Sequence, residues 1–234
     1  AGVTAHTVAL RIPYRETIRR IASAQGRHKK QTGGAGQFGD CYLRIEPNPG
    51  SGYEFVDEVV GGAIPRGFIP AIDKGVQETM RDGVLAGYPM IDVKVAVYDG
   101  SYHPVDSNEM AFKTAARIGF QKAVEQAEAV ILEPMAHLNI TVPDSYAGSV
   151  MGDVSASRGR VEGMHAADGQ HAGETTIEAT IPYAEVTDYA TRLRSLSRGT
   201  GEFEFEMTGY EQVPHDIQQR LAKEYQDKRA AGEK

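Results

Sequence analysis

Apolar and polar residues alternate with two different periods in the first half of the chain, and each period predicts one kind of element. Spacings of three and four predict a helix over residues 67–81, ended near Gly83, and a second helix over 108–128. A period of two predicts strands near residues 7–17, 41–46, 53–60 and 93–97. Residues up to about 130 are therefore predicted to form one domain, a mixed sheet that carries two helices.

The second half of the chain predicts a different order of elements. Helices are predicted over residues 147–154 and 186–197. Strands are predicted around inward-facing residues at 138–142, 161–165, 177–181 and 203–207, the last with Phe203, Phe205 and Met207 inward. The order β-α-β-β-α-β within roughly eighty residues is that of the split, ferredoxin-like fold.

A last helix is predicted over residues 215–229. It has to dock on folded protein, because an isolated helix of this length is marginal in water. The predicted fold class is therefore α+β, with domains over residues 1–130 and 131–210 and a C-terminal helix with its tail over 211–234.

The composition is that of a folded protein in a reducing compartment. Of the 234 residues, 41% are hydrophobic and 24% are charged, which is ordinary for a globular protein. The single cysteine, Cys41, excludes an intramolecular disulfide, and no apolar run approaches membrane-spanning length, so a cytoplasmic protein without a membrane partner is expected. The net charge of -7 argues against nonspecific nucleic-acid binding, although local contact stays open. The chain does not begin with methionine, which indicates a fragment of a longer protein.

A glycine-rich segment follows the basic run at residues 27–30. This glycine loop, residues 33–39, has four glycines in seven residues, which predicts unusual backbone angles or close approach to another molecule. It leads into a strand, and the chain has no Gly-x-x-x-x-Gly-Lys-Ser/Thr motif, so no nucleotide-phosphate site is predicted. Two interpretations stay open: a mobile hairpin tip, or a flexible probe that approaches a nucleic-acid backbone, helped by Lys29, Lys30 and Gln37.

A second polar loop, residues 100–107, separates the strand at 93–97 from the helix that follows, and it is called the histidine loop here. Asp99-Gly100 predicts a tight turn, and Asp106 with Glu109 predicts a helix cap. The turn and the cap fix the two ends of the loop. Its exposed side chains are predicted to be Ser101, Tyr102, His103 and Pro104.

His103 has three interpretations: a catalytic base, a contact to RNA, or an exposed loop histidine. Catalysis needs partners, and the nearby Asp99 and Asp106 are better explained by the turn and the cap. No Ser or Cys nucleophile lies in an activating context, and the seven histidines show no ligand spacing, so neither a catalytic residue nor a metal site is predicted. Stacking or hydrogen bonding to RNA stays open.

Arginines gather near the ends of the two helices in the second domain. The C-terminal end of the helix at 186–197 carries Arg192, Arg194, Ser195 and Arg198, and the preceding helix is followed by Arg158 and Arg160. Cations at a negative helix end stabilise the helix, which is one sufficient explanation. The alternative is a basic patch that binds phosphate.

Eight short motifs are spread over nearly the whole chain. They are YRETI (14–18), KQTGGAGQFG (30–39), GGAIP (61–65), YDGSYH (98–103), SNEMAF (107–112), LEP (132–134), GDVSASRG (152–159) and YATRLRS (189–195). In content and in order they resemble bacterial elongation factor G, and together they are highly specific, although no single one is. The match is to the two C-terminal domains of the family, called IV and V.

The resemblance implies the fold and the partners of this chain. It implies a domain like the second domain of ribosomal protein S5, then a ferredoxin-like domain, then a final helix that packs back on the first domain. It also implies a fragment of a translational GTPase that promotes movement of tRNA and mRNA on the ribosome, in contact with the RNA of both subunits, as a monomer. GTP and Mg would belong to the missing part of the parent protein, with no cofactor in this fragment.

The resemblance also implies which residues touch RNA. The two loops are expected to pair in space as the tip of a rigid lever that faces tRNA and mRNA, through Gly33, Gly34, Gly36, Gln37, Ser101, Tyr102, His103 and Pro104. Contact with large-subunit RNA is expected from Arg194, Ser195 and Arg198. These roles are steric and hydrogen-bonding rather than catalytic.

Two alternatives to translocation follow from the residues. Many family members carry Tyr-Gly-His where this chain has Phe38-Gly-Asp40, and Arg198 replaces a residue that is often neutral, which indicates a paralogue acting in ribosome recycling or rescue. The other alternative is a free-standing pair of domains with its own catalysis around His103, Asp99 and Asp106. A nucleotide-binding domain upstream of Ala1 would nearly eliminate it.

Overall fold

The computed structural model describes residues 11–31 and 33–233. Contacts divide the chain into two units, the discontinuous unit (residues 14–132 and 212–233) and the ferredoxin-like unit (residues 133–211, with 11–13). The helices are α1 (Ile69–Asp82), α2 (Glu109–Gln126), α3 (Ala147–Ala156), α4 (Tyr189–Leu196) and α5 (His215–Ala230). The strands are β1 (Arg15–Ile18), β2 (Ala22–Lys30), β3 (Gln37–Pro47), β4 (Glu54–Asp57), β5 (Val93–Ser101), β6 (Ala129–Pro143), β7 (Arg160–Ala166), β8 (Glu174–Pro182) and β9 (Glu202–Gln212). None of the helices in these described ranges is long and apolar enough to span a membrane.

The discontinuous unit is built on a four-stranded mixed sheet in the order β2-β3-β5-β4. The pairs β2/β3 and β3/β5 are antiparallel, and β4 runs parallel to β5. The predicted alternation is confirmed on the two central strands, because their apolar residues are fully buried beneath α1 and α2. These residues are Cys41, Leu43, Ile45, Val93, Val95 and Val97.

Helix α2 lies in direct contact with the β2–β3 hairpin, and glycines make this approach possible. A Cβ on Gly26 of β2 would lie 1.8 Å from the carbonyl oxygen of Ala115, and a Cβ on Gly119 would lie 2.9 Å from the Gly26 nitrogen. The buried face of α2 is lined by small residues that suit this approach, since Ala116 and Ala123 are fully buried. The missing side chains at Gly26 and Gly119 therefore set the distance between helix and sheet.

A buried carboxylate organises the segment that follows α1. Glu16 on β1 has no exposed surface, and its two side-chain oxygens accept four backbone N–H groups at 2.7 to 2.9 Å. The donors are Val84, Leu85, Ala86 and Tyr88. Because buried backbone donors need acceptors, this one side chain satisfies four donors of the segment at once.

The C-terminal helix α5 packs on the same unit. Leu221 is buried, the N–H of Val213 donates to the carbonyl of Ile131 at 3.0 Å, and the Tyr225 ring covers Gly87. A Cβ on Gly87 would lie 2.7 Å from that ring. The sequence predicted that this helix must dock on folded protein. In the structure its segment contacts Gly87 and Ile131 of the same unit.

The ferredoxin-like unit has the strand order β9-β6-β8-β7, with β6 pairing antiparallel to β8 from Met135 onward. Two helices, α3 and α4, cover one face. The predicted α+β class and the β-α-β-β-α-β order are confirmed. The core includes Leu138, Ile140, Val142, Val150, Val154, Ile177, Ala179, Ile181, Tyr189 and Leu193.

The inward face predicted for β9 is correct only at its start. Phe203 packs edge-on against Tyr189, with ring centroids 4.9 Å apart, whereas Phe205 and Met207 are 47% and 48% exposed. The apolar residues of α3 and α4 contact β9 as far as Phe203, and an edge strand has no further layer to cover it. Alternation therefore identified the strand but overestimated its burial.

The structure differs from the predicted strands at two further places. Residues 7–10 of the predicted opening strand over 7–17 lie outside the described residues, and in the described remainder β1 begins only at Arg15. Strand β2 was not predicted, because its buried positions are Ala22 and Gly26, which are too small to produce an apolar alternation.

Tyr189 provides a test of the ferredoxin-like core. Its side chain is fully buried, its hydroxyl has no hydrogen-bond partner among the described residues, and burial together with the Asp153 carboxylate raises its pKa. Tyr189→Phe is expected to raise the free energy of unfolding of this unit by about 1 kcal/mol, because it removes an unsatisfied buried polar group.

The matched control is Tyr53→Phe. The Tyr53 hydroxyl donates to Asp73 at 2.5 Å, so the same chemical change is expected to cost the discontinuous unit about 1 kcal/mol. Amide hydrogen exchange, followed separately over peptides of each unit, measures both effects. A destabilisation by Tyr189→Phe as large as that by Tyr53→Phe would show that the Tyr189 hydroxyl is satisfied in solution.

Candidate nucleic-acid interface

The glycine loop and the histidine loop lie side by side at one end of the discontinuous unit. The N–H of Phe38 donates to the carbonyl of Asp106 at 3.0 Å, and the Ser107 hydroxyl donates to the carbonyl of Phe38 at 2.9 Å. A Cβ on Gly36 would lie 2.8 Å from the Asp106 carboxylate, so the Asp106 side chain would have to shift to admit any larger residue there. The two loops therefore present one joined surface.

The turn predicted at Asp99-Gly100 is wrong, because β5 continues through Ser101. Tyr42, Cys41 and Asp40 of β3 pair with Asp99, Gly100 and Ser101, after a bulge that leaves Tyr98 unpaired in the register. A Cβ on Gly100 would lie 2.3 Å from the Asp40 carbonyl oxygen, so this glycine serves close packing between strands. Pairing with β3 overrides the local turn signal of Asp-Gly.

The cap predicted at Asp106 is also wrong. Asn108 caps α2, with its side-chain oxygen accepting the N–H of Ala111 at 2.8 Å. Asp106 instead faces the glycine loop at Gly36 and lies 3.6 Å from Nδ1 of His103. The spacing between Asp106 and Glu109 matched a capping box, but the residue immediately before the helix has the capping geometry.

His103 is half-exposed and is held by the backbone of its own loop. Its Nδ1 accepts the N–H groups of Val105 at 3.2 Å and Asp106 at 3.1 Å, which assigns the proton of the neutral ring to Nε2. Its own N–H donates to the Ser107 hydroxyl at 2.9 Å. The ring therefore presents a donor, Nε2–H, to solvent, and its second nitrogen is not free to act as a base.

The other predicted tip residues differ in what they expose. Gly33 and Gly34 are exposed, and Tyr102 is 47% exposed beside the exposed Pro104. The Gln37 side-chain oxygen lies 2.8 Å from Nε2 of His28, which orients its amide group. The exposed cations Arg27, Lys29 and Lys30 flank this surface on β2.

Ser101 differs from its neighbours because its hydroxyl is turned inward. It donates to Asp40 Oδ2 at 2.7 Å, and the Gln25 amide donates to Asp40 Oδ1, also at 2.7 Å. Asp40 is only 6% exposed, so its charge is not presented at the tip. Burial, reinforced by Asp40, raises the pKa of the adjacent Cys41 thiol to about 12, which leaves this cysteine unreactive.

The arginines of the ferredoxin-like unit separate into two groups. Arg158 forms two hydrogen bonds with the buried Glu133 at 2.7 and 3.0 Å, Arg160 forms two with Glu211, and Arg192 bonds to Asp188 and Asp153. The broad basic patch considered from the sequence is therefore not formed, because acidic partners neutralise these three. Within the described part of the chain, Arg194 and Arg198 are exposed and form no ion pair, with the exposed Ser195 beside them.

Comparison with known proteins assigns the chain to a family. Residues 10–128 match the family model described as elongation factor G, domain IV, and residues 130–221 match the model described as elongation factor G C-terminus. The chain belongs to the elongation factor G family. Both loops of the joined tip lie within the domain IV match, and the exposed Arg194 and Arg198 lie within the C-terminal match.

A solved structure supports the same assignment of fold. A protein from Thermus thermophilus, known from its crystal structure, is 41% identical, with a TM-score of 0.80. The similarity covers 94% of this chain and 32% of that protein. This chain therefore spans about a third of the length of that relative.

Three residues that support the tip were missed from the sequence. Gln25 and His28 lie on β2, whose strand character was not predicted, and Asp40 was noted only as a departure from the family's Tyr-Gly-His. The pattern of apolar and polar residues over 22–30 does not reveal this strand, because its two buried positions, Ala22 and Gly26, carry no large apolar side chain. The hydrogen-bond partners emerge only once the β2/β3 register is known.

Proposed function

We propose that this chain is the ribosome-contacting C-terminal region of a translational GTPase that promotes the movement of tRNA and mRNA during protein synthesis. The observation that carries the proposal is the joined tip, in which the glycine loop and the histidine loop are bonded through Phe38 to Asp106 and Ser107. Two polar loops fixed to each other at the end of a sheet form a rigid probe rather than two independent flexible segments. Family membership supports the same function.

The tip has the chemistry to contact RNA without catalysing a reaction. Tyr102 offers a ring for stacking, His103 Nε2 offers a hydrogen-bond donor, and the exposed Gly33 and Gly34 allow close approach of a backbone. The flanking residues 27–30 supply local positive charge for phosphates on a chain that is acidic overall. The tip would then block backward slippage of tRNA and mRNA by occupying the space behind them.

The exposed arginines of the ferredoxin-like unit have a separate role in this proposal. Arg194 and Arg198, with Ser195, are free to bind phosphates of large-subunit RNA, whereas Arg158, Arg160 and Arg192 already have acidic partners. GTP and Mg would be bound by a part of the parent protein that precedes this region.

His103→Ala in the full-length protein tests the proposal. It is expected to slow single-turnover movement of mRNA about tenfold, a loss of about 1.4 kcal/mol, because a contact made by Nε2 disappears. Ribosome-stimulated GTP hydrolysis is expected to stay within about twofold of wild type. A fluorescent label on the mRNA and phosphate release from GTP report the two steps.

The matched control is His165→Ala, which removes another exposed histidine, on β7. It is expected to leave both steps unchanged. Movement at the wild-type rate in His103→Ala would remove the assigned role of this residue. If wild type splits ribosomes together with a recycling factor but does not move mRNA, the recycling alternative drawn from Phe38-Gly-Asp40 is the correct one.

A further inference from the structure

Directly beneath the joined tip, one buried carboxylate connects three strands. Asp40 follows the last residue of the glycine loop, and its register partner on β5 is Ser101, the second residue of the histidine loop. Its other hydrogen-bond partner, Gln25, lies on β2. Both bonds are 2.7 Å long and use different oxygens of the same side chain.

The Asp40 carboxylate is buried and is bound by two neutral donors. Asp40 is 6% exposed and the adjacent Cys41 is fully buried, whereas Ser101 lies at the surface and Gln25 is half-buried. The two groups that donate hydrogen bonds to Asp40 are neutral: they are the amide of Gln25 and the hydroxyl of Ser101. Removing the carboxylate would therefore take away the one acceptor that links both side chains to β3 at the base of the two loops.

We propose that Asp40 is a positioning residue that sets the distance and orientation of the histidine loop relative to the glycine loop. This inference rests on the proposed function, because the geometry it controls is that of the joined tip. Two bonds at Asp40 fix the base, and the bonds of Phe38 to Asp106 and Ser107 fix the tip two residues further out. Without the bonds at Asp40, the side chains of Ser101 and Gln25 no longer restrain the base, and only the β3/β5 backbone ladder and the outer pair hold the two loops together.

The chemistry required at this position is hydrogen bonding rather than charge. An asparagine can accept from Gln25 with its oxygen and donate to the Ser101 oxygen with its NH2 group, because a hydroxyl is both donor and acceptor. Asp40→Asn is thus expected to preserve the connection, whereas Asp40→Ala removes both bonds. Gln25→Ala removes one bond and serves as the milder variant.

The first measurement is amide hydrogen exchange of the full-length protein without ribosomes. In Asp40→Ala, amides over residues 102–107 are expected to exchange about tenfold faster, whereas amides of the buried strand residues 93–97 keep their wild-type rates. Gln25→Ala is expected to give a smaller increase in the loop, and Asp40→Asn to stay within about twofold of wild type. Equal exchange over 102–107 in all variants would overturn the inference, and so would an equal increase in loop and core, which marks general destabilisation.

The second measurement compares mRNA movement with GTP hydrolysis on ribosomes. Asp40→Ala is expected to slow movement about fivefold with hydrolysis within about twofold of wild type, and Asp40→Asn to restore movement. A proportional loss of both steps would assign Asp40 a purely structural role and overturn the inference. If the wild-type protein itself does not move mRNA, the proposed function fails, and the exchange measurement alone decides whether Asp40 positions the loops.

Discussion

Replacing Glu16 by glutamine is expected to lower the free energy of unfolding of the discontinuous unit by about 3 kcal/mol, and replacing it by alanine by about 5 kcal/mol. The buried carboxylate accepts four backbone N–H groups in the segment after α1. Glutamine keeps one acceptor oxygen but turns an NH2 group toward the N–H groups that bonded to the other oxygen. Alanine leaves all four donors without an acceptor. Because typical domains are stable by about 5–15 kcal/mol, either loss is a large fraction of the total.

Urea denaturation and hydrogen exchange over residues 83–90 measure this effect. The matched control is Glu125→Gln, the same change at an exposed position of α2, which is expected to be neutral. If Glu16→Gln and Glu125→Gln unfolded at the same urea concentration, the segment after α1 would not depend on the carboxylate.

Gly26→Ala is expected to destabilise the same unit by about 3 kcal/mol or more, through a single added methyl group. That methyl would lie 1.8 Å from the Ala115 carbonyl oxygen and 2.5 Å from the Gly119 nitrogen. Both are backbone atoms of α2, so no side-chain rotation relieves the clash. Helix α2 has to move away from β2 along its length, and the buried contacts of Ala115 with the sheet are lost with it.

Gly67→Ala is the matched control for the glycine change. A Cβ on Gly67 would have no atom within 4 Å, and its φ is not positive, so this alanine is expected to be neutral or to stabilise by about 0.5 kcal/mol. Circular dichroism during urea denaturation compares the two variants. Equal unfolding midpoints would mean that α2 and β2 are further apart in solution than in this structure.

The sequence predicted the fold well where large apolar side chains recur at a regular spacing. Ile69, Ile72, Val76 and Met80 identified α1, and the residues of β3 and β5 identified the central strands. These positions are buried as predicted, because the period of an element determines which residues share a face. Strand β2 was missed for the opposite reason, since it packs through Ala22 and Gly26, and the absence of a side chain is not an apolar signal.

The candidate site was only partly predictable from local sequence. His103 was identified because it lies in a polar loop between two strongly patterned elements. Its actual partners, the N–H groups of Val105 and Asp106, depend on a loop conformation that no local motif specifies. Asp40 shows the same limit, because its partners Gln25 and Ser101 lie on two other strands and meet it only after the sheet is paired.

The discontinuity of the first unit determines when that unit can be completed during synthesis. Its last element, α5, supplies Leu221 and the ring of Tyr225, yet residues 133–211 of the ferredoxin-like unit are synthesised between Leu132 and that helix. At a synthesis rate of about 5–20 residues per second, the surface around Gly87 waits about 7 to 28 s for the ring of Tyr225. The inserted unit is thus made in full before the unit that encloses it in sequence. A nascent chain released early from the ribosome would expose this surface and become a substrate for chaperones and proteases.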